Sequence, residues 1–516
     1  MSLFDQKIHW KSIWSQTGLL LHVPAAMAAV SLIICVIYQE WFALIPLISV
    51  AVFGFGVGQL LYRLFLKEEN KAHLWDAMII AANGWLMCSI LAAVPFFWIA
   101  TERLHAGVIS DNLVIFSHPI NALFEAFSGY TSTGLTMLQK TGPFPKILYW
   151  WRSFLEWTGG LGLVVFILSL THLNKMGFQL YYAEARTEQM SNNITQTAHW
   201  MWGIYVFYTG IAIFLFWLFG MTPWEAINHA FTALSTGGFT LGHESFANFS
   251  PLIQGTAIFM MIFASTSFLI HFRLIRDKKW KILLKSQQTR LLIFFLLGGW
   301  LIVVGLNYWN KTKIQWISSF FDWTSALTTC GFSSTKLSTF SPMTKLFLIM
   351  GMFVGGATGS TCGGIKLRRL IYLVGGVMLR LKTLTQKKEK QITEHYRLTK
   401  DPLDSEPPGV DLPKTEQSER LYTAGVLFFL WTFSLLIGWF LVLKWTPSGQ
   451  ALDALFEVTS AMSNVGLTSG LLTPEFSSFG KCIFMLMMWI GRLEIIPAII
   501  LLLSIPMTLN RRTNCE

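Results

Sequence analysis

Residues 121–136 read NALFEAFSGYTSTGLT. The first ten are apolar enough to enter a bilayer but too short to cross one, since a crossing helix needs about 20 residues. They run into the hexapeptide Thr131-Ser132-Thr133-Gly134-Leu135-Thr136, whose pattern is Ser/Thr-x-x-Gly-Leu/Phe-Ser/Thr. The pattern returns as Ser235-Thr236-Gly237-Gly238-Phe239-Thr240, Thr328-Thr329-Cys330-Gly331-Phe332-Ser333 and Ser463-Asn464-Val465-Gly466-Leu467-Thr468. The register extends upstream: six residues before each glycine stands Ser128, Thr232, Ser325 or Ser460, and nine before stands Glu125, His229, Asp322 or Glu457. A repeat of this kind sets the architecture.

Each copy reads as span, short half-helix, glycine hexapeptide, span. Bare backbone at membrane depth is tolerated only where it is buried in protein or lines water. Glycine frees that backbone from ordinary φ limits. Four copies around one axis can turn carbonyl oxygens inward to replace a cation's hydration shell, with the negative ends of four half-helices aimed at the same axis. Glu125, Asp322 and Glu457 are expected first to complement the N-terminal dipoles of their half-helices and second to attract cations to the vestibule, and His229 marks one quadrant as electrostatically different.

Composition agrees with a membrane protein. Of 516 residues, 53% are hydrophobic and 13% charged, with 42 Phe and 22 Trp; soluble domains carry about 25% charged residues. The six cysteines are scattered with no CxxC pair, which excludes a disulfide framework and a zinc site. The net charge of +11 reads as loop charge that orients the chain, not as a nucleic-acid surface. The first 17 residues lack the apolar core and cleavage site of a signal peptide, so the first membrane helix is expected to stay attached.

Ten segments have the length and apolarity of spans: about 18–38, 42–65, 76–100, 146–171, 200–220, 251–271, 290–308, 343–373, 421–444 and 480–508. With both termini cytoplasmic, inner segments hold 28 of the 39 Lys and Arg and outer ones hold 10, Arg492 lying within a span; that bias supports the orientation. The fold expected is all-α and polytopic. Two additional helices (1–75) precede pore repeats at 76–197, 198–288, 289–382 and 420–516, and a polar, proline-containing segment at 383–419 reads first as a cytoplasmic linker and second as a docking surface. The basic run from Arg273 to Lys281 reads first as a topology anchor and second as a lipid or partner contact.

The four hexapeptides, the ten spans and the stretch from Trp151 to Gly162 (WRSFLEWTGGLG) resemble the Trk/Ktr/HKT superfamily of potassium transporters over almost the whole chain. The resemblance implies a pseudo-fourfold pore. Its single selectivity filter maps onto Thr131, Ser132, Thr133 and Gly134; Ser235, Thr236, Gly237 and Gly238; Thr328, Thr329, Cys330 and Gly331; and Ser463, Asn464, Val465 and Gly466. It further implies potassium ions held in that filter with no covalently bound cofactor, a homodimer in the bacterial inner membrane among lipid, and a cytosolic nucleotide-binding TrkA-type ring as partner. A serine at the first filter glycine is associated with sodium in the superfamily; Gly134 therefore favours potassium.

The span near 343–373 is interrupted by GGATGSTCGG at 355–364, too glycine-rich for a regular helix, since each Gly costs about 1 kcal/mol relative to Ala. Its glycines match Walker A spacing in part, but Ile365 stands before Lys366 and no Ser or Thr follows, so a nucleotide loop is excluded. Arg492 lies in the final apolar stretch. Glu494, two residues on, does not share its helix face, which leaves the carbonyls of the glycine loop as the better partners. The resemblance implies that Gly355, Gly356, Gly359, Gly363 and Gly364 belong to a gate below the filter, with Arg492 as its latch; the alternative is an ion pair that serves packing alone. The expected function is potassium uptake driven by ion-motive force, as a channel or a coupled symporter, and not enzymatic. Two rivals are an intramembrane serine hydrolase using Ser128 or Ser460 with His229, and a transporter for another solute. A hydrolase has no use for four copies.

Overall fold

The computed structural model describes residues 8–65, 73–138, 144–170, 179–181, 183, 190–191, 193–242, 244–278, 280–310, 315–382 and 414–513. Among them every regular element is helical. Most of the linker expected at 383–419 lies outside the described residues.

The chain begins with α1 (Trp10–Tyr38), α2 (Leu44–Phe65) and α3 (Leu74–His105), followed by the short α4 (Asp111–Phe116). Gly18 of α1 and Gly58 of α2 let the two backbones touch: a Cβ on either would stand 2.6 Å from the other's carbonyl oxygen. Close approach through small residues is how helices associate where lipid removes the hydrophobic drive. Glu40, between α1 and α2, accepts the backbone N–H groups of Lys146 and Ile147 at 2.9 and 2.8 Å. The two additional helices are thereby stapled to the first turn of α6 (Lys146–Leu161), whose N–H groups have no partner within their own helix.

Four half-helices follow the expected repeat: α5 (Pro119–Tyr130), then, after α7 (Leu163–Leu170) and α8 (Ile194–Leu218), α9 (Pro223–Leu234). Beyond α10 (Pro251–Ala264), α11 (Phe268–Asp277), α12 (Lys281–Lys285) and α13 (Gln287–Trp309) comes α14 (Trp316–Leu327). The fourth, α18 (Ala451–Met462), follows α15 (Pro342–Val354), α16 (Leu367–Lys382) and α17 (Lys414–Val442). Each half-helix has 12 residues, about 18 Å at 1.5 Å per residue, little more than half the hydrocarbon thickness. Thr222 and Glu225 form a capping box at the start of α9, and Ser250 and Ser341 cap α10 and α15, each followed by proline.

The ten expected spans are not ten continuous helices. Among the described residues six helices are long and apolar enough to cross a membrane, and two further pairs pass that test only together. These are α10 with α11, bent by 97°, and α19 (Ser478–Arg492) with α20 (Ile496–Thr513), bent by 116°. The segment expected at 146–171 is interrupted at Gly162, where φ is 98°. The one at 343–373 is interrupted between Val354 and Leu367. The span that follows each half-helix is thus broken in all four repeats, whereas only the third break was expected; the first also falls in a glycine-dense stretch, Gly159-Gly160-Leu161-Gly162. Arg492, expected near mid-span, ends α19 at the bend, where Glu494 and Ile495 take positive φ values.

Candidate functional site

The four half-helices end in the same way. The residue after each C-cap, Ser132, Thr236, Thr329 or Asn464, lies in the left-handed region with φ between 50 and 53°. Its N–H bonds three residues back, and the next N–H bonds five back: Thr133 to Ser128, Gly237 to Thr232, Cys330 to Ser325 and Val465 to Ser460, at 2.8 to 3.0 Å. This is a Schellman motif on four residues other than glycine. It explains the upstream register, since the Ser or Thr six before each glycine supplies the accepting carbonyl.

The glycines then form a closed cycle. A Cβ on Gly134 would collide with the carbonyl oxygen of Gly237, one on Gly238 with that of Cys330, one on Gly331 with that of Val465, and one on Gly466 with that of Thr133. All four have φ between 82 and 94°, a region that L side chains avoid. The sixteen residues at 131–134, 235–238, 328–331 and 463–466 are therefore brought around one centre, each quarter touching the next and the last touching the first. Asn464 reinforces the closure, its amide donating to Thr133 Oγ1 and to the Met488 carbonyl, both at 2.9 Å.

The acidic residues do a different job from the one expected. Glu125 lies in the middle of α5, not in its first turn, and accepts from Thr136 Oγ1 and the Met137 N–H at 2.8 Å and from Arg152 Nε at 2.6 Å. Asp322 accepts from the Ser334 N–H at 2.7 Å and from Thr335, and Glu457 from Thr468 Oγ1 at 2.5 Å and the Ser469 and Gly470 N–H groups. Each carboxylate fastens the chain that leaves the hexapeptide back onto its half-helix. The second quarter does differ. His229 bonds the Glu225 carbonyl at 2.8 Å and packs against Phe246, Phe249 and Phe332. There the carboxylate comes from outside the half-helix: Glu156 accepts the Phe239 N–H, and Arg152 donates to the Thr240 carbonyl at 3.0 Å. Arg152 and Glu156 were missed as site residues. Their signal was present: opposite charges four apart on one face of an apolar helix.

The loop 355–364 lies against this ring. A Cβ on Gly363 would overlap the Ser463 carbonyl, the Gly363 N–H donates to Thr329 Oγ1 at 2.8 Å, and the Cys362 thiol reaches the Thr328 carbonyl. The loop is also laced to the break in the preceding repeat: the Ala357 N–H donates to Ser265 O and the Phe268 N–H to Gly359 O, both at 2.9 Å. A polar cavity of about 60 Å³ lies between the loop, Gly162, Asn464 and the end of α19, room for a few waters.

Arg492, Lys366 and Glu494 face this cavity. Arg492 donates to the carbonyls of Gly159, Gly160 (2.9 Å) and Thr361 (3.4 Å). Only one of these partners belongs to the glycine loop; the others close the helix in the first repeat. Glu494, in the bend beyond the end of α19, pairs with Arg369. Lys366, considered in the sequence only for a nucleotide loop, donates to the Cys362 carbonyl.

Residues 65–509 match the TrkH family, described as cation transport proteins. The chain is 29% identical over 463 residues to an uncharacterized cation transporter of Methanocaldococcus jannaschii, covering 89% of this chain and 87% of that one. It is 25% identical over 512 residues to the Trk system potassium uptake protein TrkH of Escherichia coli K12, covering 96% and 98%. Its fold matches the crystal structure of the potassium transporter TrkH from Vibrio parahaemolyticus with a TM-score of 0.78 at 22% identity, over 96% of this chain and 99% of the other. A family match over most of the chain, carried by a polytopic helical fold, assigns it: the chain belongs to the TrkH family of cation transport proteins, a family of transporters and not of enzymes.

Proposed function

We propose that this protein takes up potassium through the ring at Gly134, Gly238, Gly331 and Gly466, with the loop 355–364 as the gate and Arg492 as its latch. The observation that carries the reading is the cyclic contact of the four glycines with carbonyls of the next quarter. The first four residues of each hexapeptide hold dehydrated potassium ions by backbone oxygens, with the negative ends of four half-helices behind them. Below, the positive charges of Lys366 and Arg492 oppose a cation in the cavity until the loop moves. An inside-negative potential favours inward movement by about 2.3 kcal/mol per charge per 100 mV.

The names of the Trk relatives support placing the chain as the membrane component of a multi-part potassium uptake system. In that setting it works in the inner membrane with both termini cytoplasmic, as a homodimer on a nucleotide-binding TrkA-type ring. Rubidium uptake into liposomes, with and without substitution of the four glycines, tests the transport reading. Reversal potentials in potassium and sodium gradients, with and without a pH gradient, separate potassium from sodium and a channel from a symporter. Full uptake by a Gly238→Ala protein that folds would overturn the filter assignment.

A further inference from the structure

The chain between Phe268 and Gln288 takes no part in the ring, yet both of its ends are bonded to the 355–364 loop. At the start, Phe268 N–H donates to Gly359 O at 2.9 Å. At the end, Gln288 Oε1 accepts the Thr358 N–H at 2.8 Å. Between these feet the chain makes α11, turns through Lys278 with φ 50°, and makes α12. Its inner side buries Ile270, Leu274 and Ile282 as a small separate core. Its outer side exposes Arg276, Lys278, Lys281 and Lys285 with a single acid, Asp277, and among them Ile275, Trp280 and Leu284, with Trp280 73% exposed.

The topology fixes where this patch sits. Helix α13 crosses the bilayer and its far end leads into half-helix α14. Its near end, and the α11–α12 hairpin beside it, therefore lie at the membrane surface opposite the half-helices' side. At that depth exposed Trp, Leu and Ile mixed with cations suit neither water nor hydrocarbon, but they match the headgroup layer of an anionic bilayer. A purely water-facing hairpin has no reason to expose Trp280.

We propose that α11 and α12 bind anionic phospholipid headgroups and that this contact, transmitted through Phe268 and Gln288, pulls on the loop and favours its open position. The inference rests on the gate reading of residues 355–364. Its chemistry is non-covalent: guanidinium and ammonium groups against lipid phosphate, with Trp280 among the acyl carbonyls.

The full-length protein tests it in vesicles of phosphatidylcholine alone and of phosphatidylcholine with phosphatidylglycerol. An environment-sensitive fluorophore is placed by Trp280→Cys in a background carrying Cys482→Ser and Cys515→Ser. Brominated lipid should quench it in the anionic vesicles, and rubidium uptake by the unlabelled parent should rise several-fold there. Both effects should be lost in Arg276→Gln/Lys278→Gln/Lys281→Gln/Lys285→Gln. A fluorophore left in water on anionic vesicles overturns the proposal and makes the patch a face for a soluble partner. Quenching with uptake indifferent to phosphatidylglycerol also overturns it, since lipid contact without effect on flux is not the device proposed. Failure of the gate reading is separable: Arg492→Ala would then leave uptake unchanged while the quenching persisted.

Discussion

The carbonyl oxygen of Thr133 occupies the space that a Cβ on Gly466 would need, although the two residues stand at opposite ends of the repeat array. That contact makes four consecutive pieces of chain into a ring. The same relationship links Gly134 to Gly237, Gly238 to Cys330 and Gly331 to Val465, so any side chain at these glycines must push apart two quarters.

Gly238→Ala should reduce rubidium uptake at least tenfold. The new methyl meets the Cys330 carbonyl inside the 3.0 Å that real Cβ contacts do not cross, and the left-handed φ adds about 1–2 kcal/mol of strain. Liposome flux measures it, and near-normal flux with intact thermal stability would argue that the ring is not the ion path.

Arg492→Ala should raise flux. The guanidinium holds carbonyls from the first repeat and from the loop together, and its loss both frees the loop and removes a positive charge from the cavity. Equal or lower flux from a protein that keeps its melting temperature counts against the latch.

Glu125→Ala should destabilise the fold by about 3–5 kcal/mol, since it strands the buried Arg152 guanidinium as well as two further donors. Thermal unfolding in detergent reads this out. Glu125→Ala combined with Arg152→Met should recover part of the loss.

Glu156→Gln should weaken discrimination between potassium and sodium more than it weakens folding. One amide oxygen still accepts the Phe239 N–H, but the second oxygen, which also accepts that N–H and lies against Gly237, becomes an amide donor facing the second hexapeptide. Reversal potentials should shift toward sodium permeability while the melting temperature changes little; unaltered selectivity would assign Glu156 a purely structural part.

The sequence by itself determined the membrane class, the fourfold repeat and the glycine positions, because lipid length limits and the demand for φ values above zero act locally and leave a mark in every copy. It also marked the third break, where glycines are dense. Tertiary structure alone decided the rest. The breaks at Ser265–Ser267 and Leu493–Ile495 carry no comparable glycine signal, and at the first and second breaks free backbone groups are satisfied by distant partners, Arg492 and the 355–364 loop. Likewise Glu125, Asp322 and Glu457 could be seen as a periodic acidic position, but whether they face a helix end or brace the chain that leaves the hexapeptide depends on which N–H groups the folded chain brings to them.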